Sequence, residues 1–203
     1  MRKFIFSLLI IFILSACSQG ENIDTTEDGD EVLSIQNLEI PDVIFTSELQ
    51  KSVIDEEEIK LSIKVYLDSF EELLNASEPF QDYIYEEEEL TIEELEKLDE
   101  INKLTKENDD NFSNYILNNT LPEGYQEETK RISRYITAVN ETLYEIGEML
   151  DNLTDAASKE VLPKVNIKSI IDKSNGVNGR EQKKIEDFLD KKNIKTKAFG
   201  RDH

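Results

Sequence analysis

The chain has no tryptophan, one cysteine, one histidine, four prolines and seven glycines in 203 residues. A single cysteine rules out an internal disulfide, and a single histidine leaves no His/Cys set at metal-ligand spacing. A cysteine nucleophile needs a base within hydrogen-bond reach, and the only histidine, His203, is the last residue. No glycine-rich phosphate loop or serine-elbow motif occurs. Positive charge is scarce too: 23 Lys and Arg stand against 45 Asp and Glu, a formal net charge of −22. Such acidity repels phosphate and excludes nucleic acid as a partner. Carboxylates lie so densely that no pair stands out as an acid–base couple. The expectation is a protein that is not an enzyme and that uses no cofactor or metal ion.

Long apolar runs are lacking with one exception. Arg2 and Lys3 precede Phe4 to Leu14, and small residues Ser15 and Ala16 then lead to Cys17. The run is short for a membrane span and has the layout of a secretory signal. Leu14-Ser15-Ala16-Cys17 resembles the bacterial lipobox. That resemblance implies diacylglyceryl transferase acting on the Cys17 thiol and signal peptidase cutting between Ala16 and Cys17. Each buried methylene contributes about 0.8 kcal/mol, so two or more acyl chains hold where one does not. The expected location is the extracytoplasmic face of the cell membrane, with the membrane itself a partner through the lipid.

Charge and composition divide the chain. Residues 1–16 read as the cleaved signal and residues 17–31, polar and acidic, as a flexible tether. Residues 32–163 read as an acidic helical domain and residues 164–203 as a basic helical segment with a loose end. Residues 17–163 hold 39 acidic and 10 basic side chains, whereas residues 164–203 hold 6 and 11. That asymmetry suggests a basic clasp on the acidic body or on an anionic membrane surface.

Glu, Lys, Ile, Leu and Asn dominate, a mixture that favours helices over a sandwich or barrel. Residues 32–45 read as an extended stretch laid over the domain. Ile59, Ile63, Tyr66, Phe70 and Leu73 alternate steps of four and three, predicting a helix from Asp55 to about Ala76, interrupted at Pro79. Thr91-Ile92-Glu93-Glu94 is a capping box that starts a second helix with Leu95, Leu98, Ile101, Phe112 and Tyr115 on its stripe. Thr120-Leu121-Pro122-Glu123 reads as another, opening a third helix that runs to Ser158 with Ile132, Ile136, Val139, Leu143, Ile146, Leu150 and Leu153 inward. A brief helix is expected over 166–173. Asn178 caps a last one that turns Ile185, Phe188 and Leu189 inward. The expected fold is all-α: an antiparallel helical bundle of three long helices with a shorter C-terminal helical segment. The same stripes also suit an intermolecular coiled coil.

The seam of the second helix turns polar at Thr105 and Asn108, where the chain reads Asn108-Asp109-Asp110-Asn111-Phe112. This stretch resembles the signature of the NDxxF-motif lipoproteins of Gram-positive bacteria, with Asn108, Asp109 and Phe112 at its fixed positions. The resemblance implies a cell-surface lipoprotein and brings no activity with it. Asn108 and Phe112 share a helix face, and a seam asparagine can set the register of its neighbour. Asn108 or Asp109 can also cap a new helix after a break. The oxygens of Asn108 to Asn111 suggest Ca²⁺, but hard cations want six to eight oxygens and the glycine turn of an EF-hand is missing. The Glu86–Glu89 run reads as a solvated face.

The leading functional expectation is a non-catalytic surface lipoprotein that binds an envelope protein or polymer. The alternatives are a substrate-binding lipoprotein of a transporter and an envelope enzyme with a carboxylate pair. The first alternative wants two lobes and a cleft.

Overall fold

The computed structural model describes residue 35 and residues 38–85, 90–158 and 177–201. Ala16, Cys17, the tether, the Glu86–Glu89 run and the helix expected over 166–173 lie outside the described residues. Within the described residues the fold is all-α. Its helices are α1 (Glu56–Tyr85), α2 (Ile92–Asn118), α3 (Gln126–Ser158) and α4 (Gly179–Lys192), followed by a 3-10 turn at Ala198–Gly200. No described helix is long and apolar enough to cross a membrane.

The first helix starts where Asp55 accepts the Glu58 amide at 2.9 Å and three glutamates face the positive helix end. It does not stop before Pro79. That residue sits inside a helix that continues to Tyr85. Proline costs a helical hydrogen bond, and here the buried Leu73, Ala76 and Phe80 offset that loss by packing on both sides of it.

The capping box of α2 forms as its sequence predicts: the Glu94 amide donates to Thr91 Oγ1 at 3.3 Å and the Thr91 amide to Glu94 Oε2 at 2.8 Å. The helix is unbroken through Asn108. Leu95 departs from its predicted stripe and is 50% exposed. Leu98 and Ile101 of that stripe keep to it, filling the adjoining cluster with Leu90 and Ile35.

At α3 the expected start is corrected. Thr120 caps nothing; its amide donates to the Ser52 carbonyl at 2.9 Å and its carbonyl accepts from the Ile54 amide at 2.9 Å. Residues 123–125 form a turn with Gly124 at φ 82°, a left-handed conformation that glycine takes without strain. The helix begins only at Gln126. Ile132 and Ile136 are buried, Val139 and Leu143 half-buried; the side chains of Ile146, Leu150 and Leu153 lie outside the described residues.

Asn178 caps α4, accepting the amides of Arg180 at 3.1 Å and Glu181 at 3.0 Å. Asn178→Ala is expected to cost about 1 kcal/mol, read as a lower urea midpoint at unchanged slope. At the other end Asn193 adopts a left-handed φ of 53°, and its amide closes onto Asp190 O.

The expected loose end is not loose through Arg201. Ile194, Thr196 and Ala198 are buried, and Phe199 sets its ring edge-on to Tyr135 at 5.9 Å. The Thr196 hydroxyl and the Lys197 amide donate to Asp68 at 2.7 and 2.8 Å. Burial pushes the Asp68 carboxyl up, but Lys64, Lys197 and Thr196 outweigh it and hold it below its usual value. The basic segment does meet the acidic body: Lys192 reaches Glu56 at 3.3 Å and Lys197 reaches Glu72 at 2.7 Å. Such exposed pairs contribute little. Ile185, Phe188, Leu189, Ile194 and Ala198 instead belong to one core with Ile59, Tyr66, Phe112 and Ile136. That core spans both sides of residue 163.

Before α1, Ile35, which is in a 3-10 turn, and residues 38–54, which carry no helix or strand beyond the single bridge at Val53, form a strap. It follows α2 in the same direction: Lys97 Nζ donates to Ile35 O at 3.0 Å, Phe45 meets Asn108, and Val53 bridges Thr120.

Candidate functional site

The polar stretch of α2 sits where strap, α1 and α3 meet. Helical spacing places Asn108, Asn111, Phe112, Tyr115 and Asn119 on one face toward the strap. Asn108 Oδ1 accepts the Phe45 amide at 2.9 Å while its Nδ2 donates to the Tyr66 carbonyl at 3.2 Å. Asn111 Nδ2 donates to the Phe45 carbonyl at 3.0 Å. Eight residues on, Asn119 accepts the Ser52 amide and donates to the Leu49 carbonyl, both at 2.9 Å. Three carboxamides thus satisfy strap backbone groups that no sheet or helix pairs.

Phe112 is fully buried and stacks on Tyr66 with ring centroids 4.1 Å apart and planes 4° from parallel. Phe45 meets both Phe112 and Tyr115 edge-on, at 5.3 Å each. This aromatic box seats the strap, and edge-on and stacked pairs are the favoured arrangements.

Asp109 points the other way. The Tyr66 hydroxyl donates to its Oδ1 at 2.7 Å and Asn140 Nδ2 to its Oδ2 at 2.9 Å, so one carboxylate joins α2 to α1 and α3. Burial pushes the Asp109 carboxyl above its usual value, against hydrogen bonds from Tyr66, Asn140 and Thr137; neighbouring Asp110 pushes it the same way as burial. Burial, then the Asp109 charge, drives the Tyr66 phenol well up. Asp110 is exposed and pairs with Lys106.

The four polar residues of the motif therefore diverge. Asn108 and Asn111 serve the strap, Asp109 the helices and Asp110 the surface, and Asn111 turns a nitrogen, not an oxygen, inward. A Ca²⁺ ion needs oxygens converging on one point, and among the described residues no group of three or more His, Cys, Asp or Glu is placed to hold a metal. Asp109 is buried and both of its oxygens are engaged in tying α2 to α1 and α3. Away from this junction, Leu189, Asn193, Ile194, Lys195 and Arg201 line a surface depression of about 190 Å³, below the size usual for ligand pockets.

Sequence reasoning singled out Asn108, Asp109 and Phe112 and missed their partners Phe45, Tyr66 and Asn140, as well as Asn119, which holds the same strap further along. Tyr66 reads as one more apolar position of α1, and nothing local marks its hydroxyl as spoken for. Asn119 had a visible signal, since it lies eleven residues, about three helical turns, beyond Asn108.

No protein-family model matches the chain, and neither does any curated protein or any solved structure.

Proposed function

We propose that this chain is a bacterial surface lipoprotein, held by a lipid on Cys17 at the extracytoplasmic face of the cell membrane. Its three long helices pack as an antiparallel bundle, a reading supported by Tyr66 of α1 meeting Asp109 of α2 while Leu73 and Phe80, further along α1, cluster with Ile101, earlier in α2. The bundle is non-catalytic and binds a protein or polymer of the envelope, and membership of the NDxxF-motif lipoproteins accords with it. The observation that carries this reading is Leu14-Ser15-Ala16-Cys17 at the end of an eleven-residue apolar run. The hydrogen bonds of Asn108, Asp109 and Asn111 support the non-catalytic part, because they commit the motif to the fold.

Cys17→Ala is the direct test. The variant is expected to accumulate as a precursor with its leader attached and to incorporate no radiolabelled fatty acid. Incorporation at the wild-type level would remove the anchor from the proposal.

A further inference from the structure

We propose that the tip of the domain where the strap ends is a docking edge for an extended, basic segment of a partner protein, which pairs with the main chain of Val53. The proposal rests on the reading of this chain as a non-catalytic binding domain and names the surface that binds. Three main-chain hydrogen bonds lay the end of the strap beside the end of α2 and the residues that follow it. The Lys51 amide donates to the Asn118 carbonyl at 2.8 Å, the Thr120 amide to Ser52 O and the Ile54 amide to Thr120 O, both at 2.9 Å. Asn119 adds a side-chain stitch by accepting the Ser52 amide at 2.9 Å. The pairing is parallel and joins Val53 to Thr120. Thr120 takes the groups on either side of Val53, so Val53 turns its own amide and carbonyl to the open side. Among the described residues no group meets them there.

An edge of this kind accepts one more strand. Its side chains are apolar and uncovered: Val53 is 85% exposed, and Leu117, next to the Asn118 that holds Lys51, is 64% exposed. Charge around the edge selects the strand. On one flank the chain answers its own acids with lysines, Glu56 by Lys60 and Lys192, and Glu57 by Lys60. Glu48, Asp55, Glu58 and Glu123 are exposed, and among the described residues no lysine or arginine pairs with them. Lys51 is the one cation of residues 38–54. A strand in which basic and apolar residues alternate meets both demands, because its successive side chains point to opposite faces, and complementary charge speeds the encounter.

The probe is a labelled heptapeptide that alternates lysine and valine, followed by fluorescence anisotropy against the full-length chain in mild detergent at fixed salt. Wild type is expected to bind it, and Val53→Pro to bind it about tenfold less well, the size of one lost main-chain hydrogen bond. Proline is tolerated where a strand amide faces outward; here it removes that amide, breaks no hydrogen bond within the chain and leaves the charge of the protein untouched. Equal binding by the two proteins is adsorption to an acidic body and overturns the proposal. So does an absence of binding to wild type, or equal binding of a peptide that alternates glutamate and valine. Should Val53→Pro fail to fold, wild type is tested with the lysine–valine peptide N-methylated at every amide. That peptide keeps its charge without its donors and is expected to bind about tenfold less well; an equal affinity overturns the docking edge. Full-length Cys17→Ala is expected to bind the original peptide as wild type does, so a failed anchor and a failed edge give different results.

Discussion

Phe112→Ala is expected to cost the domain about 3–5 kcal/mol, the range for truncating a fully buried aromatic side chain. The side chain has no exposure and touches rings from two other parts of the chain, Tyr66 of α1 and Phe45 of the strap. Its loss removes the stack on Tyr66, opens a void under Phe45 and loosens the strap that Asn108 and Asn111 hold alongside. Against a typical total of about 5–15 kcal/mol, that is a large share. Urea unfolding followed by circular dichroism reads it as a fall in midpoint. Phe112→Leu refills much of the void and should lose distinctly less. A change within about 1 kcal/mol for Phe112→Ala would show that the aromatic box does not organise the core.

The parts of this fold that local periodicity encodes were legible. Ile59, Ile63, Tyr66 and Phe70 lie buried on α1 as their spacing predicts, and Ile185, Phe188 and Leu189 do so on α4. Asn178 and the Thr91–Glu94 box cap their helices because a cap is a contact three residues long. What failed depends on contacts distant in sequence. Pro79 looks like a stop until Phe80 is seen packing with Ile35 and Ile101. Thr120 looks like a cap until the strap, some 70 residues earlier, claims its amide and carbonyl. Ile194, Ala198 and Phe199 are too few among lysines to show a period, yet they close the core.

The motif was legible as an anomaly, polar residues on an apolar seam, but not as a device. Asparagine suits the strap because one side chain offers both a donor and an acceptor. Asn108 uses both to join the strap to α1, and Asn119 uses both on the strap while its Nδ2 also donates to the Tyr115 carbonyl of its own helix. An aspartate at either position would lack the donor. The neighbouring Asp109 faces donors, the Tyr66 hydroxyl, the Asn140 amide and the Thr137 hydroxyl, and needs no donor of its own. The alternation of amide and acid at 108 and 109 follows from what each face of α2 meets.

That assignment makes Asp109→Asn, nearly the same shape, a demanding substitution. The new carboxamide keeps one acceptor oxygen and turns its NH₂ toward groups that donated to the lost oxygen, leaving a buried polar group unpaired. Relief from burying a charge offsets part of the loss, and the net cost at neutral pH is expected to be about 2 kcal/mol. The pH dependence is more telling. Burial raises the carboxyl of folded Asp109 above its ordinary 3.8, so in the window between those two values the folded chain binds the extra proton. Stability contributed by Asp109 then rises as pH falls through that window and is lost as pH climbs back through the raised value. Lowered carboxyls such as Asp68 and Glu56 act in the opposite sense, losing stability as acid protonates them. Both proteins carry those groups, so the difference between wild type and Asp109→Asn isolates Asp109. The gap is expected to widen from neutral pH toward pH 4 even while both proteins weaken. A gap that stays constant or narrows would mean that hydrogen bonds from Tyr66, Asn140 and Thr137, not burial, govern the Asp109 proton.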